Sequence, residues 1–196
     1  MDRLERLSEK VHALYESKRP ERAEWADWLY ANHVFAVATK AGEVAASLGA
    51  DGELAQVAGM LHDIADAVMS RENPNHAAGS AKLATDMMRE AGFTDSEIKI
   101  VVEDAMALHG CHDGRLPQTP EGRALATADG AIHLTTDFYD YAWEMSQADH
   151  ESTQEFKDWA LPKIERDYRT KILIDEVRRE VAGAYERRKA AIAFLS

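Results

Sequence analysis

The chain has 196 residues, a formal charge of −12 from 23 basic against 35 acidic side chains, and 45% hydrophobic residues, enough to bury about 70% of its unfolded surface. The acidic balance argues against coating a nucleic-acid polymer or lying on anionic lipid, but a small phosphorylated ligand stays within reach if a metal ion or a local cationic cluster supplies positive charge. A lone cysteine, Cys111, excludes an internal disulfide. No apolar run reaches membrane length and Met1–Lys10 is charged, so the expectation is a cytoplasmic protein with no membrane span.

The periodicity is helical throughout. Leu4, Leu7, Val11 and Leu14 give an amphipathic first helix, and Pro20 is placed to open a second that runs through Trp25, Trp28, Leu29 and Val37 towards Leu48. Asp51 caps a third, with Leu54, Val57, Leu61 and Ile64 inward. After the Asn73-Pro74-Asn75 turn, a fourth helix carries Ala77 to Ala91 and stops at Gly92. Thr94 and Glu97 form a capping box for a fifth helix through Ile98, Val101, Val102, Ala105 and Leu108. Gly110 to Thr119 is loop, and Thr119-Pro120 starts a sixth helix through Leu125, Ala128 and Ile132. Ser152 and Glu155 form a further capping box before a long charged helix. The expectation is a single all-α domain over residues 1–196, with a helical core over about 20–145 and a C-terminal helix over about 160–193.

Five of the eight histidines and two aspartates carry the chemical interest. Two His-Asp doublets occur, and their contexts differ. His112-Asp113 sits in a Gly-containing loop, whereas His62-Asp63 follows the apolar stretch Ala58-Gly59-Met60-Leu61. A buried His-Asp pair is costly unless it is hydrogen-bonded or binds a metal. Adjacent helical residues diverge by about 100°, so the doublet cannot chelate tightly by itself, but it can reach an ion where its helix meets its neighbours. His33, four before Val37, and Asp129, four after Leu125, lie on inner stripes of such neighbours; His109 ends the fifth helix and His76 opens the fourth. Taken singly, each reads equally well as a hydrogen-bonded structural residue. Taken together they form a candidate metal site.

In this order, His33, His62-Asp63 and Asp129 resemble the HD superfamily of metal-dependent phosphohydrolases, which is all-helical and defined by a His, a His-Asp doublet and a distant Asp. The resemblance extends to Leu61-His62-Asp63-Ile64-Ala65-Asp66, and to Pro117-Gln118-Thr119-Pro120-Glu121-Gly122 followed by Ala128-Asp129. It covers His33 to Tyr141, about half the chain. Members with two ions add two histidines between doublet and last Asp, and His76 and His109 match these by order.

The resemblance implies an enzyme of HD-type helical-bundle fold that cleaves a phosphate ester or anhydride of a small molecule, most simply a nucleotide. Imidazoles and carboxylates suit one or two divalent ions such as Mn, Fe, Co or Mg. Asp66, one helical turn from His62, is the candidate general base. Arg115 and Lys82, with Arg123 beside them, are candidate phosphate contacts. His112 is a lesser candidate for ligand or substrate contact. Two alternatives stay open: a diiron oxygenase on the same scaffold, and a non-catalytic regulatory or binding module. The expected partner is the phosphorylated substrate, without nucleic-acid polymer or membrane, and with room for a homodimer.

Overall fold

The computed structural model describes residues 2–196. Every regular element among them is helical, in agreement with the all-α expectation. The chain forms two compact units, one ending at Ala126 and one over Thr127–Ser196.

In the first unit, α1 (Arg3–Glu16) is opened by a reciprocal Asp2–Glu5 capping box and buries Leu7, Val11 and Tyr15. The second helix does not open at Pro20. Residues 17–25 are turns and irregular backbone, held by Arg22 pairing with Asp27 at 2.6 Å and by the Ala23 N–H donating to the Asp66 carbonyl at 2.8 Å. The helix starts instead as α2 (Ala26–Leu29), widens into a π-helical turn over Tyr30–Val34 and continues as α3 (Phe35–Ser47). Asp51 caps α4 (Gly52–Leu61) by accepting from the Glu53 and Leu54 N–H groups, as expected from its residue type.

α3 and α4 pack extensively on each other, and Gly59 sets how closely. A Cβ at position 59 would stand 2.5 Å from the Ala38 Cα, so only glycine admits the observed approach. α4 then ends earlier than its apolar periodicity indicates. Asp63 leaves the helical region at φ −125°, and Ile64–Ala67 forms a 3-10 turn that is buried throughout. α5 (His76–Ala91) stops at Gly92, whose φ of +99° only glycine adopts readily. The Thr94–Glu97 capping box opens α6 (Asp95–Ile98), which runs on as a π-helical segment, Lys99–Met106.

A clasp then starts α7 (Pro120–Thr135). The Asp104 carboxylate accepts from the Gln118 and Thr119 N–H groups at 2.8 and 2.9 Å and from the Thr119 hydroxyl at 2.5 Å. That hydroxyl oxygen accepts from the Gly122 N–H at 3.0 Å, and Glu121 accepts from the Asp51 N–H at 3.0 Å. The Pro117–Gly122 stretch is therefore a structural device that ties the start of α7 to that of α4.

The second unit holds the end of α7, then α8 (Phe138–Ala148), α9 (Thr153–Arg166), a π-helical turn over Asp167–Lys171 and α10 (Asp175–Ala193). The Ser152–Glu155 capping box is present. The single long C-terminal helix is corrected to two, because the chain becomes extended between Ile172 and Ile174. Ile172 is fully buried; the Leu173 N–H donates to Thr127 Oγ1 at 3.0 Å, and Arg178 bonds the Ile172 carbonyl. These side-chain partners replace the helical ladder. No helix among the described residues is long and apolar enough to cross a membrane.

Candidate metal centre

The first unit assembles a cluster of histidines at places where helices end or widen. His62 is the C-cap that follows α4, at an end where carbonyls have lost their helical partners. Its Nδ1–H donates to the Gly59 carbonyl at 2.8 Å. A neutral ring so held carries its lone pair on Nε2, and His62 Nε2 lies 3.3 Å from His33 Nε2. His33 reaches this place from the π-helical turn, whose extra residue re-aims the side chain. His109 repeats the arrangement of His62: it follows the Lys99–Met106 segment and donates Nδ1–H to the Met106 carbonyl at 2.7 Å. One ligand atom each from His62, Asp63 and His109 lie within 4.8 Å of one another.

This geometry fits a divalent ion. Nitrogens bound at about 2.1 Å to a common ion sit roughly 3.0–3.4 Å apart, the separation found between His33 and His62. Ligating histidines characteristically donate their other ring N–H to a carbonyl or carboxylate, as His62 and His109 both do. Neutral imidazoles with a carboxylate suit borderline divalent ions such as Mn, Fe or Co.

Beside the cluster lies a second polar group. Asp66 is buried, with both oxygens engaged: Oδ1 accepts from His76 Nε2 at 2.9 Å and Oδ2 from Arg71 Nη2 at 2.6 Å. The same Arg71 nitrogen donates to Asp63 Oδ2 at 2.9 Å. The hydrogen bond to Asp66 raises the His76 pKa above the ordinary histidine value, so His76 is held as the donor. Reading Asp66 as the candidate general base, one helical turn from His62, supposes a continuous helix. The 3-10 turn instead rotates Asp66 inward, onto His76 and Arg71.

Asp129 belongs to the second unit and is buried there. Lys171 forms a buried ion pair with it, and His133, one turn further along α7, places Nε2 3.3 Å from Asp129 Oδ1. His133 Nδ1 in turn lies 3.1 Å from Asp167, which also accepts from Tyr139 at 2.7 Å and pairs with Lys163 at 2.9 Å. Burial pushes the His133 pKa down to about 3, so the ring is neutral in a network of two acids and two lysines. Gly130 makes room for it: a Cβ there would meet the Asp167 carbonyl at 2.8 Å.

A cavity of about 430 Å³ opens on the cluster, lined by His62, Asp63, His76 and His109 and by apolar groups such as Val102 and Met106. His112 also lines it and is otherwise exposed. Lys82 is 79% exposed and pairs with Asp86 at 2.7 Å, while exposed Arg115 lines a separate small hollow with Cys111. The structure brings neither to the acids of the site. Arg71, which does reach them, lies in a polar turn and carried no sequence signal; nor did Lys171, in a run that reads as apolar.

The HD domain family model matches residues 30–131, just over half of the chain. Ribonuclease Y 1 of Pediococcus pentosaceus is 39% identical over 83 residues, which are 42% of this chain and 14% of that protein's length. No solved structure matches.

Proposed function

The chain belongs to the HD domain family, a family of metal-dependent phosphohydrolases, and from that premise we propose that it cleaves a phosphate ester or anhydride of a small molecule, with nucleotides the first class to test. The observation that carries this reading is the matched pair His62 and His109, each with Nδ1 tied to a carbonyl, and each offering a ligand atom within 4.8 Å of the other's and of one from Asp63. An ion bound there would lower the pKa of a water and neutralise phosphate charge.

The chain's own residues have separable parts. His33, His62, Asp63 and His109 are the proposed ligands in the first unit. His76 donates to Asp66 instead of joining the histidine group, which favours one ion over two. Asp66, with both oxygens occupied, acts as a positioning residue: it holds the proton-bearing ring of His76 at the cavity wall. The apolar walls supplied by Val102 and Met106 exclude water from the substrate's non-phosphate part.

The matched relative is named as a ribonuclease, so RNA is the alternative substrate. The charge of −12 opposes association with a polyanion and favours a small molecule. The test is phosphate release by metal-loaded protein across nucleoside mono-, di- and triphosphates and dinucleotides, beside cleavage of single-stranded RNA. Turnover of a small phosphate substrate supports the reading; RNA cleavage alone, or no phosphate or phosphodiester hydrolysis with any divalent ion, overturns it.

A further inference from the structure

We propose that Arg71 binds the substrate phosphate, an assignment that rests on the phosphohydrolase reading. Arg71 Nη2 is pinned between two carboxylates, at 2.6 Å from Asp66 Oδ2 and 2.9 Å from Asp63 Oδ2. The two anchors differ. The Asp66 side chain is 1% exposed and fixes the guanidinium from within, whereas Asp63 is shared with the histidine cluster, its Oδ2 lying 3.9 Å from His62 Nε2. One carboxylate oxygen therefore separates Arg71 from the candidate metal ligands.

A guanidinium carries five N–H donors in a rigid fork. Both anchoring bonds use Nη2, which leaves the N–H donors on Nε and on Nη1, aimed to different sides of the group, to give charge-assisted bonds to phosphate oxygens. The side chain is 45% exposed, so part of it faces solvent. Its orientation is fixed in advance by a buried acid, which lowers the ordering cost of binding.

The local charge requires such a cation. Asp63 and Asp66 would repel a phosphate arriving at the cavity, and Arg71 is the arginine bonded to both. Lys82 is turned to Asp86, and Arg115 stands on the loop beyond Cys111. When Asp63 also serves an ion, less of its charge screens Arg71, so phosphate binding strengthens with metal loading.

The full chain loaded with Mn²⁺, and its R71M and R71K variants, would be titrated with inorganic phosphate by calorimetry, with bound Mn²⁺ measured in each. R71M is expected to keep its Mn²⁺ and to bind phosphate at least about tenfold more weakly, the loss for one charge-assisted bond. R71K, which keeps the charge but not the planar group that two acids can hold while further donors stay available, falls between R71M and wild type. Phosphate affinity in R71M within about twofold of wild type overturns the assignment. So does loss of Mn²⁺ from R71M when R71K binds both Mn²⁺ and phosphate normally, which would make Arg71 a brace for Asp63. Should R71M not fold, R71K decides: weakening of about threefold or more supports the assignment and unchanged affinity overturns it. A wild-type chain that binds no Mn²⁺, or binds Mn²⁺ but no phosphate, removes the phosphohydrolase reading and this assignment together; normal wild-type binding with an indifferent R71M removes Arg71 alone.

Discussion

The His62 ring donates to the carbonyl of Gly59, three residues back along α4, at 2.8 Å. Gly59 is also the point of closest approach to α3, where a Cβ would stand 2.5 Å from the Ala38 Cα. One residue thus sets both the orientation of His62 and the spacing of the helices that bring His33 to it.

Gly59→Ala tests that coupling. The added methyl must push α3 away from α4, and overpacking of this kind costs about 1–3 kcal/mol. The variant should melt at a lower temperature and hold its ion more weakly, because the 3.3 Å His33–His62 separation opens. Unchanged thermal stability and metal content would show that the interface accommodates the methyl.

Asp66→Asn tests the positioning role. An amide cannot accept from His76 and Arg71 at both ends, and a broken buried bond of this kind costs about 1–3 kcal/mol. Misplacing a catalytic group by about 1 Å can cost 10²-fold in rate, so kcat should fall by about that factor with metal content kept. A second readout is independent of turnover. The Asp66 hydrogen bond raises the His76 pKa, so it stabilises the fold below the ordinary histidine pKa, an effect lost as pH rises through the raised value. In Asp66→Asn the NMR titration of His76 should move down towards the ordinary value. A His76 titration identical to wild type would contradict the role.

Acid stability should depend on His133. Burial holds its pKa near 3 against an ordinary 6.5, with Asp129, Asp167 and Lys163 around it. Between these values the unfolded chain takes up a proton that the folded chain refuses, so stability is complete above pH 6.5 and declines as pH falls. The slope from one such group approaches about 1.4 kcal/mol per pH unit. Denaturant unfolding at pH 7 and pH 5 should show a smaller decline in His133→Gln than in wild type; an equal decline would place the acid sensitivity elsewhere.

Local chemistry was the part of the fold legible in the sequence. Asp51, Thr94 with Glu97, Ser152 with Glu155 and Gly92 all act at helix ends as their residue types indicate, because a cap is satisfied by its own neighbours. What depends on distant partners was not. Pro20 suits a helix start, but the Ala23 N–H is drawn to the Asp66 carbonyl, and the helix waits until Ala26. The 160–193 helix is broken at Ile172–Ile174, where a buried isoleucine and the Thr127 hydroxyl outcompete the ladder. At the site, His33, the His62-Asp63 doublet and His109 could be read from their order along the chain. The face presented by Asp66 could not, since it depends on α4 ending at Leu61. Arg71 gave no local sign, because its meaning lies in the two carboxylates it joins.

Whether His62, Asp63 and His109 hold a divalent ion is decided by elemental analysis of the purified full chain beside folded His62→Ala and Asp63→Ala variants. About one tightly held divalent ion per wild-type chain is expected, lost from both variants because each removes a ligand. A wild-type chain that retains no ion after loading and dialysis, or variants that both keep full occupancy, would contradict it.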